Sequence, residues 1–201
     1  SDCIGKVFEG YTVDNYMAEY VQQYVDYVRQ FSGQHFYEVR VDFNPWVPEG
    51  FGTSDAIIID GPTLRIIDLK YGQGVEVYAD NNSQAQLYAL GALNDFGDFA
   101  EIEQIEIAIV QPRRDHISEW SITKTDLLVF GEKVKAAAKE ALKPDAKRTA
   151  GEKQCQWCSA KAICPALKEY TEQAILTAFD DISPAAMPPV DSLTDAQLTQ
   201  A

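Results

Sequence analysis

Several features that define common protein classes are missing from this chain of 201 residues. No apolar run approaches the roughly 20 residues of a transmembrane helix, and no signal peptide is recognisable. The Gly-x4-Gly-Lys-Ser/Thr pattern of ATP-driven motors is absent. His35 and His116 are isolated, so neither a Ser-His-Asp triad nor a histidine-rich metal site is supported. We therefore expect one globular domain with appendages, in the cytoplasm and without a membrane partner.

Cationic residues are scarce. The chain has 17 Lys and Arg against 31 Asp and Glu, a net charge of −14, which argues against tight binding to nucleic-acid phosphates by the chain as a whole. Residues 124–168 differ, with ten Lys or Arg and five acids, so their net charge is +5 and that of the remainder is −19. This section predicts either a path for nucleic acid or a solvated helix face, and the spacing of Lys135, Lys139 and Lys143 fits both.

A β-hairpin is predicted in the middle of the first half. Two apolar, β-branched runs, Ala56 to Asp60 and Leu64 to Leu69, flank the turn sequence Asp60-Gly61-Pro62-Thr63. The isoleucines of both runs are typical of a central, buried strand pair. Charged residues at the ends of such strands usually have a functional role, because burying a charge costs free energy.

The register of this hairpin places charged residues together. If Asp60 pairs with Thr63, then Asp55 lies directly opposite Asp68. Lys70 shares a strand face with Asp68, because alternate residues point the same way. Two carboxylates about 4.5–5.5 Å apart at Cβ repel one another unless a cation lies between them, and Mg²⁺ prefers such oxygens. The alternative is an ordinary strand end with a solvent-facing Asp–Lys pair.

These residues resemble a known family. The strings GTSDAIIID, IIDLKYG and NNSQAQLYALGAL are similar to the RecB-like branch of the PD-(D/E)XK nucleases. Within that branch the likeness is to phage-type exonucleases related to AddB and the CRISPR-associated RecB-like exonucleases, over about residues 36 to 170. The resemblance implies an α/β fold with a restriction-endonuclease-like core of a helix, a three-stranded meander, a helix and a strand.

The resemblance also implies roles for individual residues. Asp55 and Asp68 match the motif acids, Lys70 the catalytic lysine, and Gln84 and Tyr88 the Gln-x3-Tyr motif. The last two are four residues apart and share a helix face, where they can steady the lysine or a phosphate. The alternative for Tyr88 is a place in the apolar core.

A metal site follows from the same residues. Asp55 and Asp68 are expected to hold Mg²⁺ or Mn²⁺, with the carbonyl of Leu69 and several waters. Lys70 is expected to position a water and stabilise charge on the phosphorane. Glu38, on the preceding predicted strand, either adds a ligand or is an ordinary strand surface residue.

The function implied is a metal-dependent DNA exonuclease of phage recombination or replication, in the host cytoplasm. Its partners are DNA and, by the same resemblance, a single-stranded-DNA-binding recombination protein. One alternative is a non-catalytic nuclease-fold module that binds nucleic acid or a partner protein. Another is a zinc-binding structural domain.

Three of the four cysteines lie close together, as Cys155, Cys158 and Cys164 followed by Pro165. Cys-x2-Cys is a metal-ligand spacing, and thiolates suit zinc or iron–sulfur clusters. The run resembles the C-terminal part of the iron–sulfur staple of AddB and its relatives, which implies a [4Fe-4S] cluster. A zinc knuckle and unligated buried thiols are the alternatives. A chain of this size can bury its own core, which disfavours a disulfide framework.

The N-terminal region departs from the family's pattern. Cys3 is the only other cysteine, and the helix predicted over Thr12 to Gln30 lacks the family's His or Glu motif. We therefore expect an N-terminal segment to be missing, and the cluster to be absent without its fourth ligand. The predicted nuclease domain spans residues 1–179, including a metal-binding cysteine segment at 150–170, and residues 180–201 form a Pro/Ala-rich linker or tail.

Further elements follow from hydrophobic periodicity. Strands are predicted before and after the hairpin, and two helices follow the last strand. The ranges are Phe36 to Phe43, Ile102 to Gln111 and His116 to Ile122 for the strands, and Thr125 to Leu142 and Cys164 to Ala178 for the helices.

Overall fold

A computed structural model describes residues 3–98 and 100–178. The chain divides into two compact units, residues 1–142 and 143–201. The linker predicted over residues 180–201 lies outside the described part. Among the residues that are described, no helix has the length and apolar character needed to cross a membrane.

The first unit has mixed α/β architecture. It begins with a short hairpin of strands β1 (Val7–Phe8) and β2 (Tyr11–Thr12), followed by helix α1 (Asn15–Arg29). The later elements are strands β3 (Gln34–Asp42), β4 (Phe51–Asp60) and β5 (Thr63–Leu69), helix α2 (Ser83–Phe96), strand β6 (Gln104–Gln111), a 3-10 turn (Pro112–Arg114), strand β7 (His116–Thr123) and helix α3 (Lys124–Ala141). From α1 to β6 the order is helix, three-stranded meander, helix and strand.

Five strands form one mixed sheet in the order β3-β4-β5-β6-β7. Strands β5 and β6 are parallel, and the other neighbours are antiparallel. The β4–β5 hairpin has the predicted register, since Asp60 pairs with Thr63 and the ladder continues to the pair of Ala56 and Ile67. Extending this register by one residue puts Asp55 opposite Asp68.

Both faces of the sheet are covered, which explains the nearly continuous apolar runs of the central strands. Helix α1 packs on one face, where its Val28 joins a core cluster with Ile58 and Ile67. Leu90 of α2 and Leu127 of α3 lie in a larger cluster on the other face. All five of these side chains are almost fully buried. At roughly 1.5–3 kcal/mol for each large apolar side chain buried, this packing holds the central strands in place.

Helix boundaries follow from local capping chemistry. Helix α1 begins at Asn15, later than predicted, because the Asp14 carboxylate caps it by accepting a hydrogen bond from the Met17 amide at 2.7 Å. Asn82 caps α2 through the Ala85 amide at 3.1 Å. Strand β4 begins at Phe51, five residues before the predicted start, because β3 continues to pair with it as far as Asp42 and Phe51.

The second unit is helical where it is described. It contains a short helix α4 (Glu152–Cys155), a 3-10 turn (Lys161–Ile163) and helix α5 (Pro165–Ala178). Helix α5 starts one residue after the predicted position, since a proline is favoured at the first helical residue, where its missing N–H costs nothing.

Candidate active site

Three acidic residues lie at one level of three neighbouring strands. Glu38 on β3 lies opposite Asp55 on β4, and Asp68 on β5 directly follows the last β4–β5 pair. Regular pairing between these strands is interrupted here, because neither Glu38 nor Asp55 belongs to a backbone pair. Glu38 also has a φ of 50°, in the left-handed region that non-glycine residues seldom occupy. Local strain of this kind is concentrated at functional sites.

The interruption shifts the side-chain alternation of β3. Phe36, Val39 and Val41 all pack into the core cluster beneath α2, although strict alternation would put Phe36 and Val39 on opposite faces. The change of face therefore occurs at Glu38. Glu38 itself is exposed.

Asp55 is oriented by the neighbouring strand. Its Oδ2 accepts a hydrogen bond from the Leu69 backbone amide at 2.7 Å. The amide of Leu69 thus bonds to a side chain at the point where the β4–β5 ladder has ended. This contact uses the N–H of Leu69 and not its carbonyl, so the carbonyl stays a predicted metal ligand.

A chain of polar contacts connects Asp68 to helix α2. Lys70 Nζ lies 3.2 Å from Asp68 Oδ1 and 2.9 Å from Oδ2. The same ammonium donates to Gln84 Oε1 at 3.2 Å, and Gln84 Nε2 donates to the Tyr88 hydroxyl at 2.8 Å. Four of the predicted site residues are therefore contiguous. Gln84 holds the lysine, and Tyr88 orients the amide of Gln84 while also packing against the core.

The Asp68 carboxylate is the most buried charge of the site, with 4% of its surface exposed. Burial raises its pKa above the ordinary value of 3.8, against the opposing effect of Lys70, which lowers it. Oδ2 lies close to the ammonium but accepts no hydrogen bond in acceptable geometry. The Lys70 ammonium, 2.9 Å away, therefore compensates the buried charge on Oδ2 through an ion pair rather than a hydrogen bond.

The segment between Lys70 and α2 is fastened to the end of the sheet. The buried Gln111 side chain accepts from the Val77 amide at 2.7 Å and donates to the Val75 carbonyl at 3.2 Å. Arg114 Nη1 donates to the Gly74 carbonyl at 2.7 Å, and Ser118 Oγ accepts from the Ala79 amide at 2.9 Å. These bonds fix the position of α2, and hence of Gln84, relative to β5.

The second unit holds the cysteine motif. Cys155, Cys158 and Cys164 line one cavity of about 370 Å³, together with Arg148 and Pro165 among others. All three thiols are free. In the described part of the chain, no group of three or more His, Cys, Asp or Glu side chains is arranged to hold a metal ion. The three thiols share a cavity, and ligation by all of them requires their side chains to reorient.

Comparison with known proteins gives the family. Residues 4–200 match DUF2800, described as a protein of unknown function. The chain belongs to the DUF2800 family. A solved structure, that of SSO0001, is similar over 74% of this chain and 68% of its own, at 16% sequence identity and a TM-score of 0.38. A likeness of that size supports no argument about fold or function.

One residue that sequence reasoning missed lies at this site of the DUF2800 protein. The Tyr24 hydroxyl of α1 is 3.5 Å from the Ile67 carbonyl oxygen. Burial raises the Tyr24 pKa, and the nearby carboxylates of Asp55, Asp68 and Glu38 raise it further. Glu38 thus belongs to the same electrostatic environment as the two predicted metal ligands. The tyrosine periodicity of α1 could have indicated a buried face, but no local signal connects α1 to these strands.

Gly52, the glycine of the Gly-Thr-Ser-Asp motif, is required by the ring of Tyr88. A Cβ at this position would come within 3 Å of Tyr88 Cε1, well inside van der Waals contact. We expect Gly52→Ala to displace the ring and loosen the hold of Gln84 on Lys70. Any DNA hydrolysis of the kind that the RecB-like resemblance implies should then fall by about 10-fold or more, as small misplacements at reaction centres cause. Parallel activity and melting measurements check this. Gly72→Ala is the control, because a Cβ there meets no atom within 4 Å; equal activity of both variants would contradict the assigned role.

Burial of the Asp68 charge is predicted to lower the stability of the fold at neutral pH. Because its pKa is raised in the folded state, ionisation of Asp68 destabilises the fold above that pKa, and the effect disappears below pH 3.8. Asp68→Asn is therefore expected to raise the melting temperature at neutral pH in metal-free buffer, by a few degrees at about 2–4 °C per kcal/mol. The gain should vanish at low pH. A lower melting temperature at neutral pH would mean that the ion pair with Lys70 outweighs burial.

Proposed function

We propose that this DUF2800 protein is a Mg²⁺- or Mn²⁺-dependent DNA exonuclease that hydrolyses phosphodiester bonds. The observation that carries the proposal is the convergence of Asp55, Asp68 and Lys70 at the interrupted end of the β4–β5 hairpin. Two carboxylates and an ammonium in one place suit a reaction that needs a cation, a positioned water and charge stabilisation at phosphorus.

The donor set fits a hard divalent cation. Asp68 Oδ2 is buried without a hydrogen bond, and Asp55 lies across the hairpin with one oxygen, Oδ2, bonded to an amide. Carboxylate oxygens are the ligands that Mg²⁺ and Mn²⁺ take, usually with several waters retained. When bound, such a cation lowers the pKa of a water and polarises the phosphate. Glu38 and the Leu69 carbonyl are the further candidate ligands.

Lys70 supplies the positive group of the proposed site. The Lys70 side chain is 31% exposed, and its ammonium lies between Asp68 and Gln84. The ammonium therefore contacts the buried acid and is open to the solvent from which a phosphate would arrive. An ammonium held by two oxygen acceptors keeps its position without reorganisation when charge develops on a phosphate oxygen. Gln84 and Tyr88 are positioning residues in this account.

The order of elements supports a restriction-endonuclease-like core. Helix α1, the β3-β4-β5 meander, α2 and β6 follow in that order, with β6 parallel to β5. A role in phage recombination or replication, in the host cytoplasm and alongside a single-stranded-DNA-binding recombination protein, rests on the resemblance to RecB-like exonucleases alone.

The cysteine segment is proposed as a structural metal site. Cys155, Cys158 and Cys164 line one cavity, which supports a [4Fe-4S] cluster or a zinc ion there. Such a site contributes to folding and takes no part in the hydrolysis.

A digestion assay tests the proposal. The purified chain is incubated with end-labelled linear DNA in Mn²⁺, in Mg²⁺ and in EDTA, alongside circular DNA of the same sequence. We expect metal-dependent release of nucleotides from the linear DNA only. Degradation of neither form in Mn²⁺, with DNA or protein binding retained, would favour a non-catalytic nuclease-fold module.

A further inference from the structure

The peptide groups on both sides of Asp68 are held by side chains from other elements. On the C-terminal side, the Leu69 amide donates to Asp55 Oδ2 at 2.7 Å. On the N-terminal side, the Ile67 carbonyl accepts a long hydrogen bond of 3.5 Å from the Tyr24 hydroxyl. Asp55 belongs to the neighbouring strand, whereas Tyr24 belongs to α1 and lies 43 residues before its partner. The backbone that carries the buried acid is therefore contacted by both β4 and α1.

These contacts lie where the regular pairing of the hairpin ends. Ala56 and Ile67 form the last β4–β5 pair, and beyond it the Leu69 amide bonds to a side chain. On its other edge, β5 stays paired with β6 as far as Leu69. The edge that faces β4 is therefore the one that needs support from side chains, because backbone groups inside a protein require partners. The Tyr24 hydroxyl supplies such support at the last paired carbonyl.

Packing fixes the ring of Tyr24. It lies one helical turn before the buried Val28, and both side chains pack against the core cluster that contains Ile67. Asp68 is the next residue of β5, so its side chain points to the other face of the sheet, where it contacts Lys70. Tyr24 therefore supports the backbone from one face, while the lysine binds the carboxylate on the other.

The Tyr24 hydroxyl stays protonated at neutral pH. Burial raises its pKa, and the carboxylates of Asp55, Asp68 and Glu38 raise it further. A protonated hydroxyl is a hydrogen-bond donor, which a backbone carbonyl can accept. It also adds no negative charge beside three acids. The residue at this position therefore gives the backbone a donor without increasing the repulsion among the carboxylates.

We infer that Tyr24 is a positioning residue of the candidate active site, which holds the backbone of Asp68 so that its carboxylate and that of Asp55 bind one divalent cation. This inference rests on the proposed function and assigns a further residue to it. Side chains that orient a metal ligand without touching the metal contribute about 10- to 100-fold to metal affinity. Because the hydrogen bond of Tyr24 is long, we expect an effect at the lower end of this range.

The test is calorimetric titration of Tyr24→Phe protein with Mn²⁺ in the absence of DNA. The affinity for Mn²⁺ should fall by about 10-fold. The Mn²⁺ concentration that gives half the maximal rate of DNA hydrolysis should rise by the same factor, while the rate at saturating Mn²⁺ stays close to that of wild type. In metal-free protein, the Asp68 and Leu69 amides should exchange hydrogen about 5-fold faster, which corresponds to the loss of one hydrogen bond.

Tyr27→Phe is the matched control. It also removes one hydroxyl from α1, and the ring of Tyr27 packs against the same core cluster. Its hydroxyl, however, donates to Glu119 on β7, away from the hairpin end. This variant should bind Mn²⁺ like wild type. Circular dichroism and melting in EDTA establish that both variants are folded.

The outcomes separate this inference from the proposed function. Tyr24→Phe protein that binds Mn²⁺ as tightly as Tyr27→Phe protein, in a chain that still degrades DNA, would overturn the inference and leave the proposed function intact. Unchanged exchange of the Asp68 and Leu69 amides would also overturn it. A wild type that neither binds Mn²⁺ nor degrades DNA would remove the proposed function and this inference together.

Discussion

Replacing Lys70 by alanine is expected to lower the rate of DNA hydrolysis by about 10²–10³-fold, the cost of losing one preorganised group that stabilises transition-state charge. Asp68→Ala should lower it at least as far, because it removes a proposed metal ligand. Both proteins should stay folded at the assay temperature, since the hairpin is held by its own buried isoleucines. Single-turnover rates on end-labelled DNA, with circular dichroism of each protein, measure the two effects separately.

The loss of Lys70 has a second consequence that needs a control. It leaves the buried Asp68 carboxylate without its ion-pair partner, which lowers stability. The double variant Asp68→Asn/Lys70→Ala should regain stability but remain inactive. Lys133→Ala on α3 is the matched control for the loss of a lysine and should cleave like wild type. Activity that survives in the Asp68 and Lys70 variants would refute the assignment of this site.

The second large effect is expected at the cysteines. The protein as encoded by its natural gene, purified without oxygen, should carry one iron–sulfur cluster or one zinc ion per chain, and Cys158→Ala should remove it. Because binding energy at a structural metal site is folding energy, of order 10 kcal/mol for zinc, the variant should lose protection from protease over residues 150–178. Metal analysis, absorption spectra and limited proteolysis measure this. A brown, iron-containing protein supports the cluster, and stoichiometric zinc supports the knuckle.

Cys3→Ala is the control for this experiment, since Cys3 belongs to the first unit, whereas the other three cysteines belong to the second. Calorimetric titration of the folded Cys158→Ala protein with Mn²⁺ should still show binding at the Asp55 and Asp68 site. Absence of metal from wild type, with no change in melting on Cys158→Ala, would leave these residues as unligated thiols.

The hairpin could be predicted from sequence because its determinants are local. A Gly-Pro turn between two β-branched runs fixes a two-residue loop, and that loop fixes the register from Asp60 and Thr63 onward. The level of Asp55 and Asp68 follows from counting along the strands. The position of Gln84 and Tyr88 on one helix face could also be predicted, since helix periodicity places residues four apart on the same face.

Other parts of the site depend on contacts that no local pattern encodes. The positive φ of Glu38 and the change of face on β3 occur where the regular pairing of β3 with β4 is interrupted. The hydrogen bond from the Leu69 amide to Asp55 requires the ladder to end at that point. Tyr24 reaches the site only because α1 packs across the sheet, and Gln111 holds the loop before α2 from a distant strand. Each is a tertiary contact between segments far apart in sequence.

The most direct test of the metal site is anomalous X-ray scattering from crystals of the protein soaked in Mn²⁺. The account predicts an anomalous peak in contact with carboxylate oxygens of both Asp55 and Asp68, at about 2.0–2.3 Å, in wild type and in Cys158→Ala. The same peak should be lost in Asp68→Asn. A protein that cleaves DNA with Mn²⁺ bound elsewhere, or with no peak at these two carboxylates, would contradict the account.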